Sequence, residues 1–170
     1  MKRLNKKLRP EYVKENAEEY FQRVNQHFPN FPQDVVSQWL YYHFDSVMQR
    51  YSWLNFSSLI FSLQIWKTED ILAKVTAWNE RAVENWKKAL LTDKGFQDSR
   101  LGRFMISEGT WPVPPIIFNN TTGIKMPDGA AIAEWELIEG HHRLAYLRAL
   151  AVSREWERRA EHPVWILTTQ

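Results

Sequence analysis

The sequence predicts an α+β fold with helices packed on a small mixed sheet. Three observations predict it. Apolar residues recur at helical spacing through the first half, short runs rich in β-branched and aromatic residues mark the second half, and those runs follow the order strand, loop, strand, helix, strand. At 170 residues the chain suits one domain of ordinary size, which buries roughly two-thirds of the surface its unfolded form exposes.

Residues 10–28 place Val13, Ala17, Tyr20, Phe21, Val24 and Phe28 at helical spacing, with Pro10 acceptable in a first turn and Pro29 as a stop. From Gln33 to Tyr51, the residues Val35, Val36, Trp39, Leu40, His43, Phe44 and Val47 form one wide apolar face, on which His43 reads as a hydrogen-bonded core histidine. The run SLIFSLQIW, Ser58 to Trp66, is too short for a comfortable helix and reads as a strand ending at Lys67. Thr68 then caps a long helix with Glu69 and Asp70 in its first turn and a buried stripe of Ile71, Val75, Trp78, Ala82 and Trp86; Lys87, Lys88 and Gly95 form its C-terminal signature. TDKGFQDSR reads as a polar connection. WPVPPIIF holds a strand over Pro115 to Phe118, NNTTG and PDG supply turn chemistry, and AIAEWELIE is the next strand, pairing with PPIIF across a loop of about a dozen residues. A helix from His141 to Val152, a charged segment SREWERRAEH and a closing strand PVWIL complete the chain.

The absence of cysteine excludes thiol catalysis, thiolate zinc sites and disulfides, and suits a cytoplasmic location. No run approaches the ~20 apolar residues of a membrane span. The net charge of +2 is too small to imply a polyanion partner. Lys2, Arg3, Lys6, Lys7 and Arg9 form a basic arm that reads as a solvated tail, with a nucleic-acid contact as the alternative. Nine tryptophans point first to a bulky core, and any exposed ones to a protein-partner surface.

The chemistry concentrates in LIEGHHRLAYLRAL, Leu137 to Leu150. With Gly140 as N-cap, His141, His142 and Arg143 occupy the first helical turn, where N–H groups lack intrahelical partners and the helix dipole disfavours a cation by roughly 0.3 to 1 kcal/mol. A bound phosphate or carboxylate resolves that conflict, and Gly140 lets the backbone approach it closely. The competing reading pairs Arg143 with Glu139 or Glu136 and leaves the histidines to local packing. A protein-only metal site is disfavoured because adjacent helical residues point about 100° apart, so His141 and His142 do not readily share one ion. A magnesium ion carried by a nucleotide is compatible with the turn.

The segment PPIIF, then WELIEGHHRLAYLRAL, then HPVWIL resembles the core of the ParB/sulfiredoxin superfamily over Gly109 to Leu167, where a strand ends in a GxxR-type phosphate-binding turn. ParB proteins hold CTP phosphates with a GERR-type motif, sulfiredoxin holds ATP with GCHR, and other members are kinases. Extended back to the SLQIWKTEDI strand and helix, the resemblance implies an α+β core over residues 57–170 behind a helical extension, residues 1–56, with one compact unit overall as the alternative. It implies nucleotide binding (ATP, ADP or CTP, with magnesium) by Gly140, His141, His142 and Arg143, with Lys67 and Thr68 as further contacts. NTPase or phosphotransferase activity would take Glu139 or Glu136 as general base, with His142 and Arg143 neutralising phosphoryl charge. Sulfiredoxin repair is excluded, because His141 stands at the cysteine position. The alternatives are DNA binding or cleavage through Arg148, Arg154, Arg158 and Arg159, and a non-enzymatic protein-interaction module.

Overall fold

Leu4 and Leu8 stand four residues apart, so one helical turn puts both on the same side. In the computed structural model, which describes residues 3–169, Lys6–Leu8 form a 3-10 turn capped by the Asn5 side chain, and both leucines are buried. The arm from Arg3 to Arg9 is therefore not a solvated tail. Arg9 pairs with Asp45, and Arg23 pairs with Glu15 while donating to the carbonyl oxygens of Lys7 and Arg9. Lys2 lies outside the described residues.

Helix α1 spans Ala17–Asn25 and does not begin near Pro10. The Asn16 side chain accepts from the N–H groups of Glu18 and Glu19, and the Glu19 carboxylate accepts from the Asn16 N–H. This capping box fixes the start. Val13, expected on the buried face, consequently lies outside the helix and is fully exposed. Asn16→Ala is expected to lower stability by about 1 kcal/mol, read as an earlier urea midpoint at unchanged slope.

Gln33 to Tyr51 is helical but irregular. Helix α2 (Gln33–Val35) leads into a π-helical stretch, Val36–Tyr41, then α3 (Tyr42–Tyr51), inside which His43 has a non-helical backbone (φ −129°, ψ 24°). A π turn takes in an extra residue and so advances the phase of the helix beyond it. Trp39, Leu40, Phe44 and Val47 stay buried, but His43 is exposed and is not a core histidine. Trp39 stacks on Phe31 and Phe56, with ring centroids 6.3 and 5.9 Å away, in an aromatic cluster of the N-terminal helices.

The chain divides into two compact units, Met1–Ser62 with Leu167–Gln170 and Leu63–Ile166. Strand β1 is Leu59–Lys67. The long helix expected from Thr68 is instead two helices around a short strand: α4 (Thr68–Lys74), β2 (Thr76–Ala77) and α5 (Glu80–Thr92). Val75 and Thr76 are β-branched and favour the extended form, β2 pairs in parallel with Glu136 and Leu137, and the Asn79 side chain caps α5. Lys67, not Thr68, holds the cap position of α4. Trp78 falls in the connection and is 53% exposed, where a buried stripe was expected.

TDKGFQDSR is not a plain connection. It supplies α6 (Lys94–Asp98), which contains Gly95, and the Ser99 cap of α7 (Arg100–Glu108). Gly109 ends α7 in the left-handed conformation. Strands β3 (Ile116–Asn119) and β4 (Trp135–Glu139) pair antiparallel, as PPIIF and AIAEWELIE predict. Helix α8 (His141–Val152) and β5 (Glu161–Thr169) complete the chain, and the mixed sheet runs in the order β1-β5-β3-β4-β2. Leu144, Leu147 and Leu150 of α8 join Val83 and Leu90 of α5, Met105 of α7 and Val164 of β5 in the core of the second unit. The α+β class thus holds. Among the described residues, no helix is long and apolar enough to cross a membrane.

Candidate functional site

Two features aim the turn between β4 and α8. The pairing of β3 with β4 slips between Ile116, opposite Glu139, and Ile117, opposite Leu137, so β4 carries one extra residue there. Such an irregularity bends a strand and redirects its side chains. Gly140 then adopts φ +106°, and α8 starts with no side-chain cap and no acid in its first turn.

Arg143 is only 8% exposed. Its Nη2 donates to Glu139 Oε1 (3.1 Å) and its Nη1 to the Val113 carbonyl (2.8 Å). The guanidinium therefore straps the end of β4 and the first turn of α8 to the segment before β3. Burial pushes its pKa down, and the Glu139 charge and hydrogen bond oppose that. Arg143 thus has the carboxylate partner that competes with a bound anion for its charge.

Each histidine meets a tryptophan. His141 lies edge-on to the exposed Trp78 ring (centroids 5.9 Å), and His142 lies edge-on to Trp86 (4.0 Å) and nearly parallel to Tyr146 (6.1 Å). Desolvation by that packing, then the Arg143 charge, lowers the His142 pKa from its ordinary value. The turn thus carries less positive charge than its sequence implies, since Arg143 is paired and the His142 imidazole is held below its ordinary pKa.

Behind His141 sits a further ion pair. Arg148 donates to Glu80 Oε1 (3.2 Å) and to the Val75 carbonyl (3.2 Å). Burial works to raise the Glu80 carboxyl, but the Arg148 hydrogen bond, the Ala77 N–H (2.7 Å) and the Arg148 and His141 charges hold it below its ordinary value. Glu136 is 4% exposed, with the Ala133 N–H 3.4 Å from its Oε2. Of the two carboxylates considered as bases, Glu139 is the more accessible.

Lys67 and Thr68 stand elsewhere, at the end of β1. Lys67 lines a surface pocket of about 530 Å³ with Glu69, Arg159, Ala160 and Glu161, a lining that includes none of the Gly140–Arg143 turn. Thr68 is 1% exposed; its N–H donates to the Ala160 carbonyl (2.8 Å) and its hydroxyl to the Arg159 carbonyl (2.7 Å). Among the described residues, no group of three or more His, Asp or Glu side chains is placed to hold a metal ion. In the arginine series, Arg148 pairs with Glu80 and Arg159 with Glu108.

Comparison with known protein families, with curated proteins and with solved structures finds no match. What the chain does is therefore read from its own residues. Sequence reasoning passed over Trp78, Trp86 and Glu80 as neighbours of the turn. Asn79, a cap residue one position after Trp78, was the signal that Trp78 falls outside a helix. It also passed over His162, which is fully buried and shares a period-two face with Val164 and Ile166.

Proposed function

We propose that this chain is a nucleotide-binding protein of ParB/sulfiredoxin-like type, in which the turn Gly140 to Arg143 receives the phosphates. One observation carries the reading: a strand runs through a left-handed glycine into a 12-residue helix that has neither a side-chain cap nor an acid in its first turn. The opening N–H groups and the helix dipole favour an anion there. His142, whose pKa lies below its ordinary value in the free turn, gains charge as the anion approaches, and Arg143 acts as a positioning residue that holds the turn and adds its field. Magnesium arrives with the nucleotide. In an NTPase or phosphotransferase version, Glu139 is the general base, and Glu136 is too enclosed for that role. Lys67 is a candidate contact at its own corner, whereas Thr68 serves by position.

Calorimetry with ATP, ADP, CTP and GTP plus magnesium tests this reading. At least one nucleotide should bind, and more tightly as the pH falls below the ordinary imidazole range, because a protonated His142 favours phosphate. His141→Ala should weaken that binding about tenfold, the worth of one charge-assisted hydrogen bond. No heat with any of the four at millimolar concentration would discard it.

The burial of Arg143 and its bond to Glu139 favour a second reading, a non-enzymatic interaction module in which the turn is structural and Trp78 belongs to a partner surface. That reading stands if the folded protein binds no nucleotide and Arg143 substitutions change only stability.

A further inference from the structure

We propose that His162 is an acid-operated latch: in its neutral form it fastens the start of β5 to the β1–α4 junction and to the segment after α7, and its protonation loosens that corner. It uses none of the Gly140–Arg143 turn.

Donor counting fixes the ring's state. The Thr68 hydroxyl spends its one proton on the Arg159 carbonyl (2.7 Å), so toward His162 Nε2, 3.0 Å away, it accepts, and Nε2 carries the hydrogen. Nδ1 is then a bare acceptor 2.7 Å from the Thr110 hydroxyl, which donates. Both ring nitrogens are satisfied by hydroxyls in a neutral imidazole that is fully buried. Trp111 covers the ring (centroids 4.8 Å) and donates its Nε1–H to the Pro163 carbonyl (2.7 Å). Main-chain bonds close the same corner: Thr68 N–H to the Ala160 carbonyl (2.8 Å) and Arg159 N–H to the Gly109 carbonyl (3.0 Å).

A second proton would put a cation where hydroxyls, not carboxylates, meet both ring nitrogens. Arg158 and Arg159 precede β5 and repel it. The other charged groups nearby are Lys67 and Glu69 flanking Thr68, Glu108 paired with Arg159 (3.3 Å), and Glu161 on β5 itself. Burial first, then the Arg159 charge, push the imidazole down from 6.5 to about 4, against a hydrogen bond to the Arg159 backbone that favours the charged form. Between those two values the opened corner binds a proton that the closed one refuses. Acid therefore favours opening, and above 6.5 stability from this group is constant.

Native-state hydrogen exchange on the whole chain reads this directly at the Thr68 and Arg159 amides. Between about pH 7.5 and about pH 5, the opening constant, corrected for intrinsic rates, should rise about thirtyfold. His162→Gln keeps a neutral donor and acceptor and should remove most of that rise, which separates His162 from the nearby carboxylates. An equal rise in the variant, or none in the wild type, overturns the latch. Should His162→Gln not fold, the Leu144 amide of α8 serves as an internal reference in the wild type. Greater acid sensitivity at Thr68 and Arg159 than at Leu144 supports the latch, and equal loss at all three overturns it.

Discussion

Arg143→Met is expected to lower the unfolding free energy by about 3–5 kcal/mol, the range for breaking a buried ion pair by removing one partner. The side chains of Arg143 and Glu139 are 10% and 18% exposed, so water screens the pair little. Methionine fills much of the volume but supplies no donor, which leaves the Glu139 carboxylate without its cation and the Val113 carbonyl without its hydrogen bond. Adding Glu139→Gln should recover part of the loss, because a neutral amide tolerates the site better than a carboxylate that has lost its guanidinium. Urea unfolding of both single variants and the double variant measures this. A loss below about 1 kcal/mol for Arg143→Met would mean that the guanidinium does not hold the turn, and the strap from β4 and α8 to Val113 would have no energetic role. The large structural effect also explains why His141→Ala is the better probe of nucleotide binding.

The parts of this fold that were legible in the sequence are those set by local chemistry. β1, the β3–β4 pair and the start of α8 come from apolar runs bounded by proline, glycine and turn residues. Elements decided by competition were not legible. The Asn16 capping box overrides a helical pattern that begins at Val13, and an extra residue in the Val36–Tyr41 stretch turns His43 away from a face whose spacing includes it. At Val75 and Thr76, helical periodicity continues through the break, because Trp78, Ala82 and Trp86 keep the right spacing by coincidence while pairing with β4 draws the chain into β2. The candidate site shows the same division. Spacing identified the Gly140 turn, but a sequence does not say whether Arg143 faces Glu139 or a guest, since both lie within reach of a guanidinium at a helix start.

Gly140→Ala is expected to cost about 2–5 kcal/mol, from two separable causes: holding an alanine in the left-handed region costs about 1–2 kcal/mol, and overpacking adds about 1–3 kcal/mol. A Cβ built at Gly140 lies 2.6 Å from the Pro115 Cβ and 3.0 Å from Arg143 Nε. Pro115 is fixed at the entry to β3, so the overlap is relieved only by moving the turn or the guanidinium, and moving the guanidinium strains its bond to Glu139. Gly129 isolates the backbone part, since it also has a positive φ (+85°) but nothing within 4 Å of its Cβ position. Gly129→Ala should therefore lose only the first amount, and the difference between the two variants in the urea midpoint reports the packing at Pro115 and Arg143. Equal losses would show that the turn relaxes freely around a methyl group, which is incompatible with a rigid strap from Arg143 to Val113. In that case the opening N–H groups of α8 are not held in one place, and the phosphate reading loses the preorganisation on which it depends.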